Sequence, residues 1–95
     1  MRRRYLFTYD VADDKRRDQI FQALKDNGDH TQYSVFLCEL NDKEFIQLNS
    51  RLQAVVHDRE DQILILDLGK EDGDITTKLR SLGKVYTPIV RAKVI

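Results

Sequence analysis

The chain has 95 residues, of which 34% are charged and 41% are apolar, and its 16 Lys and Arg are balanced by 16 Asp and Glu. This length predicts one domain, residues 1–95, whose small core makes association with a second copy an expectation. The charge balance excludes a globally basic surface, and the apolar content excludes a disordered chain. A single cysteine, Cys38, excludes an internal disulfide, and no apolar stretch reaches the length of a membrane span. We therefore expect a cytoplasmic protein that does not act at a membrane.

The first third of the chain changes from a strand pattern to a helix pattern. Residues 4–11 are rich in aromatic and β-branched side chains, which predicts a strand. A helix is expected to begin at Asp13 or Asp14 and to end at Asn27-Gly28, a pair that tolerates the left-handed backbone common at helix C-termini. The apolar residues of this helix share one face: Ile20, Phe21 and Leu24.

The middle of the chain predicts β-structure and then a second helix. Residues 30–40, HTQYSVFLCEL, form either one long strand or two short strands broken near Ser34. Asn41 and Glu44 have the spacing of a capping box, which predicts the start of a helix. The apolar stripe of that helix is expected to contain Phe45, Leu48, Leu52, Val55 and Val56.

The last third contains two further strand patterns. Residues 62–68, QILILDL, form a nearly continuous apolar run that is typical of a strand covered on both faces. Glycines and acidic residues at 69–74 predict a loop, and residues 75–82 predict a short helix. Residues 86–95 alternate apolar and basic side chains after an early proline, Pro88, which is typical of an edge strand.

This order of elements predicts an α+β fold, a ferredoxin-like βαββαβ sandwich with an extra C-terminal strand. The extra strand, about residues 86–95, either pairs at an edge of its own sheet or pairs with a partner subunit.

The junction after the first strand carries the strongest chemical signal. Asp10 ends that strand, at the position where open α/β sheets place ligands, although a capping or turn aspartate is the structural alternative. The basic run Lys15-Arg16-Arg17 opposes the helix dipole, at a cost of about 0.3–1 kcal/mol for each charge, and nearby aspartates offset part of this. A phosphate bound at the helix start explains the basic run better than a purely structural role.

Two motifs flank the first helix, YDVADDKRR at residues 9–17 and QYSVFLCEL at residues 32–40. Together they resemble the small CRISPR-associated endonuclease (endoribonuclease) family, the smaller of the two core proteins that acquire new spacers. The likeness covers residues 5–40 in its motifs and the whole chain in length and element order. Members often carry an arginine or lysine just before the second motif, where this chain has His30-Thr31.

The resemblance implies a ferredoxin-like homodimer in which two strand-end aspartates face each other and hold a divalent metal, Mg²⁺ or Mn²⁺. Asp10 is then the metal ligand, and it acts in catalysis together with Tyr9, Arg17 and Arg16. The resemblance also implies that the C-terminal strand pairs with the partner subunit.

The nucleic-acid contacts that the resemblance implies come from both motifs: Arg16, Arg17, Ser34 and Phe36. The leading hypothesis is a metal-dependent endonuclease of CRISPR adaptation that cleaves phosphodiester bonds of RNA or DNA. The alternative is a non-catalytic adaptor, a DNA-binding dimer that bridges integrase subunits. A regulatory or RNA-binding module without a CRISPR role is the third hypothesis.

Overall fold

The computed structural model describes residues 1–70, 73 and 79–84. The elements in this part of the chain are β1 (Arg3–Asp10), α1 (Asp14–Asn27), β2 (Asp29–Gln32), β3 (Val35–Leu40), α2 (Asp42–Gln53) and β4 (Gln62–Lys70). The strands form an antiparallel sheet in the order β2-β3-β1-β4. The predicted α+β fold with βαββαβ order is therefore confirmed. The expected terminal strand at 86–95 lies outside the described residues.

The residues expected to form a short helix, 75–82, are described only from Leu79 onward, and that part is not helical. No helix in the described ranges combines the length and the hydropathy that crossing a bilayer requires.

Local side-chain chemistry sets the starts of both helices. The Asp13 carboxylate accepts a hydrogen bond from the backbone N–H of Arg16 at 3.0 Å, so Asp13 is the N-cap of α1. Asn41 and Glu44 form the predicted capping box, because each side chain accepts from the other residue's backbone N–H, at 2.8 and 2.9 Å. Helix α2 ends at Gln53, and the last two residues of the predicted stripe lie beyond it.

A turn at Tyr33-Ser34 divides the β-prone segment into two strands, β2 and β3. The Ser34 carbonyl accepts a hydrogen bond from the backbone N–H of Tyr9 at 3.1 Å. This bond fixes the turn beside the end of β1.

Gly28 ends α1 for a reason that differs from the one predicted. Its backbone is extended, with φ of −160°, and not left-handed. A Cβ at this position would lie 2.2 Å from Cys38 Sγ and 2.8 Å from the Leu37 carbonyl oxygen. The glycine is needed because the chain passes directly against β3, where a side chain has no room.

The core lies between the helices and one face of the sheet. Alternate residues of β1 and β3 point into it, and both helices add aliphatic side chains. The most deeply buried large side chains are Phe7, Phe36, Ile20, Leu24, Leu40 and Leu48.

The prediction that the apolar run of β4 is covered on both faces is wrong for the single chain. Leu64 and Leu66 are each 56% exposed, because β4 is an edge strand among the four described strands and the described helices do not cover it. Leu66 pairs in register with Leu6, which pairs on its other side with Leu37. We call the sheet face that carries Leu6, Leu37, Leu64 and Leu66 the open face, because it lies opposite the helices.

Candidate active site at the β1–α1 junction

A solvent-filled hollow lies where β1 ends, α1 begins and the β2–β3 turn approaches. Six of the described residues line this hollow, which we call the Asp10 hollow: Tyr9, Asp10, Val11, Arg17, Tyr33 and Ser34. Four of the residues predicted from the sequence, Asp10, Tyr9, Arg17 and Ser34, are therefore brought together.

Asp10 is the last residue of β1, and it is exposed. Strand alternation places it on the same side of the sheet as Leu6 and Thr8, which is the side of the open face. Its carboxylate has no hydrogen bond or ion pair with any other described residue. A turn or capping role normally shows such a bond, so the structure gives Asp10 no local structural task.

Tyr9 lies on the opposite side of β1 and packs into the core. The centroid of its ring is 6.4 Å from the centroid of the Phe36 ring. Burial raises the pKa of the Tyr9 phenol above its ordinary value, and the positive charge of Arg17 opposes this rise only in part. The phenol is therefore uncharged at neutral pH, and it forms a wall of the hollow.

The Arg17 guanidinium is held at the hollow by the backbone of the junction. Its Nη2 donates to the carbonyls of Val11 at 3.1 Å and Ala12 at 3.4 Å, and its Nε donates to Val11 at 3.3 Å. Nη1 forms an exposed ion pair with Asp14 at 2.7 Å, which raises the pKa of Arg17. A bound phosphate would compete with only this exposed carboxylate.

Arg16 points to the other side of the helix start. Its Nε and Nη2 donate to the two oxygens of Asp61 at 2.7 and 3.2 Å, a bidentate pair. The structure therefore places Arg16 in an internal ion pair and outside the Asp10 hollow, although the sequence indicated a catalytic and nucleic-acid-binding role.

The Asp61 side chain has no exposed surface, and four donors surround it. Besides Arg16, the backbone N–H groups of Ala12 and His57 donate to it at 3.1 and 2.9 Å. These contacts, chiefly the hydrogen bond from Arg16, hold the pKa of Asp61 far below its ordinary value. We call this set of contacts the Asp61 clasp, and it joins the α2–β4 loop to the junction two residues after Asp10.

Phe36 and Ser34 have different positions, although both belong to the second sequence motif. Ser34 is half-buried at the rim of the Asp10 hollow, whereas Phe36 has no exposed surface. The Phe36 ring packs on His30 with 4.7 Å between ring centroids and on Phe21 with 5.5 Å. Phe36 is a core residue in this structure, so its ring is not available to stack on a base.

The family model for CRISPR associated protein Cas2 matches residues 1–74, which is most of the chain. The chain belongs to the Cas2 family. A CRISPR-associated endoribonuclease Cas2 from Geobacter sulfurreducens is 34% identical over 91 residues, which cover 96% of this chain and 95% of that protein. A CRISPR-associated endoribonuclease Cas2 from Rhodospirillum rubrum is 36% identical over 91 residues, which cover 96% of this chain and 88% of that protein.

Solved Cas2 structures have the same fold. The crystal structure of Streptococcus pyogenes Cas2 aligns with a TM-score of 0.72 and 29% identity, covering 84% of this chain and 99% of that one. A hypothetical protein, TT1823 from Thermus thermophilus, aligns with a TM-score of 0.76 and 27% identity, covering 93% of this chain and 99% of that one.

A single Cas2 chain supplies few metal-binding groups at this site. Within residues 1–70, 73 and 79–84, no three His, Cys, Asp or Glu side chains converge as a metal cluster would require. Among the residues that the structure describes, Asp10 is the one carboxylate that lines the hollow. One free carboxylate fits a hard cation such as Mg²⁺, which usually takes one or two protein carboxylates and fills its remaining positions with water or phosphate oxygens.

The sequence reasoning missed the Asp61 clasp. Asp61 immediately precedes β4, and β4 pairs antiparallel with β1 so that Gln62 lies opposite Asp10. An aspartate just before β4 must therefore lie beside the β1–α1 junction, and the β1–β4 pairing was the signal that would have found it.

Proposed function

We propose that this chain acts in CRISPR adaptation as a metal-dependent endonuclease that hydrolyses phosphodiester bonds of RNA or DNA. The observation that carries the proposal is the free, exposed carboxylate of Asp10 in a hollow that also holds the guanidinium of Arg17. The names of the relatives, which are endoribonucleases, support RNA as the first substrate to test.

Asp10 is the proposed ligand of the divalent cation, Mg²⁺ or Mn²⁺. When bound, such a cation polarises the scissile phosphate and makes a coordinated water more acidic. The contribution of the protein is a carboxylate that pairs with no arginine among the described residues, since the guanidinium groups of Arg16 and Arg17 have other acceptors. Substrate phosphate oxygens and water would supply the remaining oxygen ligands of such a cation.

Two copies of the chain are proposed to share this site as a homodimer. The open face supports the proposal, because Leu64 and Leu66 on it are exposed in the described structure, Leu6 and Leu37 beside them are half-buried, and Asp10 lies on the same side of the sheet. Association through this face would bury the leucines and would let one carboxylate from each copy contribute. The C-terminal strand, residues 86–95, is proposed to pair with the partner subunit.

Arg17 is proposed to stabilise negative charge that develops on the phosphate oxygens. The carbonyls of Val11 and Ala12 fix its guanidinium at the junction that forms the Asp10 hollow, so little reorganisation is needed when a phosphate displaces Asp14. Ser34 lines the same hollow, and we propose its hydroxyl as a further phosphate contact. The uncharged Tyr9 side chain lines the hollow, and its packing in the core keeps the end of β1 in place.

A non-catalytic adaptor is the second candidate function, a dimer that binds duplex DNA and bridges integrase subunits. The observation that favours it is the lack of a metal cluster within the described part of one chain. If two Asp10 residues do not meet, the basic helix start still binds phosphates. The logarithm of the affinity of such binding falls linearly with the logarithm of the salt concentration, and it does not depend on Asp10.

The test compares the natural chain with Asp10→Asn in a cleavage assay on single-stranded RNA and DNA with added Mg²⁺ or Mn²⁺. We expect Asp10→Asn to lower the cleavage rate at least about 100-fold, and a chelator to do the same to the natural chain. Thermal unfolding should not change, because the Asp10 carboxylate forms no hydrogen bond or ion pair within the described part of the chain.

Asp58→Asn is the matched control, because Asp58 is also an exposed aspartate whose carboxylate has no partner among the described residues, and it lies away from the hollow in the α2–β4 loop. This variant should cleave at the natural rate. Cleavage that persists in Asp10→Asn would remove Asp10 from the active site. Absence of cleavage by every preparation, with salt-dependent duplex binding retained, would favour the adaptor. Light scattering on the same samples should give the mass of a dimer.

A further inference from the structure

Tyr33 is a large aromatic side chain that the fold does not use. It is 91% exposed, whereas Tyr5 and Tyr9 are buried in the core. Within the described residues, its ring packs on no other ring and its hydroxyl makes no hydrogen bond. The turn itself does not require an aromatic residue, because hairpin turns favour Asn, Asp or Gly.

The backbone beneath Tyr33 is nevertheless held firmly. The Nε2 of His30 donates to the Tyr33 carbonyl at 3.1 Å, and the His30 ring is packed between Phe21 and Phe36. On the other side of the turn, the Ser34 carbonyl accepts from the backbone N–H of Tyr9 at 3.1 Å. A ring that projects from such an anchored turn loses little conformational freedom when a planar partner binds to it.

Tyr33 also lines the Asp10 hollow together with Asp10 and Arg17. A nucleotide whose phosphate lies against Arg17 would therefore have its base within reach of the Tyr33 ring. A base in the interior of a duplex has both of its faces covered by neighbouring bases, whereas a base in a single strand can present one face to an aromatic side chain.

We propose that Tyr33 is a stacking platform for one unpaired base of a single-stranded nucleic acid that binds at the Asp10 hollow. This rests on the proposed function only in that the hollow binds nucleic acid, since stacking does not need the chain to cleave. Tyr33 thereby selects single strands over duplexes, and it accepts RNA and DNA alike because every base has an aromatic face.

The test measures binding in the presence of a chelator, so the result does not depend on cleavage. The probes are short single-stranded RNA and DNA oligonucleotides that contain 2-aminopurine, whose fluorescence falls on stacking, and a blunt duplex of the same sequence. We expect Tyr33→Ala to weaken single-strand binding about 5- to 150-fold and to abolish the quenching. Tyr33→Phe should bind within about twofold of the natural chain, because it keeps the aromatic face.

The control variant is Ile46→Ala, which trims another exposed apolar side chain on α2, a helix that contributes no residue to the hollow. It should change neither affinity nor quenching. Three results of the binding assay would overturn the proposal. These are an unchanged single-strand affinity in Tyr33→Ala, an equal loss of affinity for duplex and single strand in that variant, and no single-strand binding by the natural chain. A change from dimer to monomer in Tyr33→Ala, seen by light scattering, would instead identify the ring as a protein contact and would also overturn it. If Asp10→Asn still cleaves but Tyr33→Ala loses quenching, the hydrolysis mechanism fails and the stacking proposal stands.

Discussion

The two sides of the α1 start use similar residues in opposite ways. On one side, the Asp61 clasp encloses a carboxylate completely and provides it with four donors, two of them from Arg16. On the other side, the Asp10 carboxylate is exposed, and the neighbouring Arg17 donates to backbone carbonyls and Asp14. The side chains of Arg16 and Arg17 diverge because consecutive helical residues do not share a face.

This difference separates a structural ion pair from a site that can accept a ligand. A buried carboxylate whose oxygens all have donors has no capacity for a metal or a substrate. An exposed carboxylate without a partner is solvated by water, so it lowers the stability of the free chain very little, and it remains available for a cation. The clasp therefore fixes the junction, and the Asp10 hollow is free to bind.

The largest expected effect comes from breaking the clasp. Asp61→Ala removes the acceptor of Arg16 and of two backbone N–H groups in a buried position, so the melting temperature should fall by about 10 °C or more. The measurement is thermal unfolding followed by circular dichroism at pH 7, with all samples at one protein concentration because association also affects the midpoint.

Asp14→Ala is the matched control for that experiment. It removes the exposed carboxylate that pairs with Arg17, whose side chain is 41% exposed, against 91% for Asp14. Exposed ion pairs contribute little to the free energy of unfolding, so the melting temperature should change by less than about 4 °C. Equal losses in Asp61→Ala and Asp14→Ala would mean that the two sides of the helix start do not differ as described.

A smaller effect should separate the two arginines in nucleic-acid binding. Arg17→Ala should weaken single-strand binding about tenfold and reduce the slope of log affinity against log salt by about 1, because one phosphate contact is lost. Arg16→Ala should leave that slope unchanged while it lowers the melting temperature. Fluorescence anisotropy titrations at several salt concentrations, below the unfolding range of each variant, measure both slopes. A slope reduced equally by Arg16→Ala would place Arg16 at the phosphate.

The features that the sequence predicted correctly depend on neighbouring residues. The capping box of Asn41 and Glu44 needs only a spacing of three residues, and the strand that ends at Asp10 needs only a short apolar pattern. The βαββαβ order follows from such local patterns in series. The position of Asp10, Arg17 and Ser34 around one hollow also follows, once β1 and the β2–β3 turn are adjacent.

The features that the sequence did not predict depend on distant parts of the chain. Asp61 acquires its donors only because β4 pairs with β1, and Gly28 is required only because β3 passes against it. The apolar run of β4 indicated that the strand is buried, but it did not indicate what covers it. A helix of the same chain and a second copy of the chain would both pack against the same apolar side chains. Phe36 was assigned to nucleic acid by resemblance, although the β3 alternation Phe36, Cys38, Leu40 already indicated a core face.

The smallest effect concerns pH and tests whether the clasp depends on an ionised carboxylate. The folded-state pKa of Asp61 is lowered, so its contribution to stability is fully present above the unfolded-state pKa of about 3.9 and is lost as the pH falls toward the folded-state pKa. Asp61→Asn keeps an oxygen acceptor but cannot carry this charge. The difference in melting temperature between the natural chain and Asp61→Asn should therefore stay constant from about pH 7 to pH 5 and narrow below about pH 4. Thermal unfolding at half-unit steps of pH measures this difference. A difference in melting temperature that stays constant down to pH 3 would mean that hydrogen-bond geometry alone, without the charge, holds the clasp together.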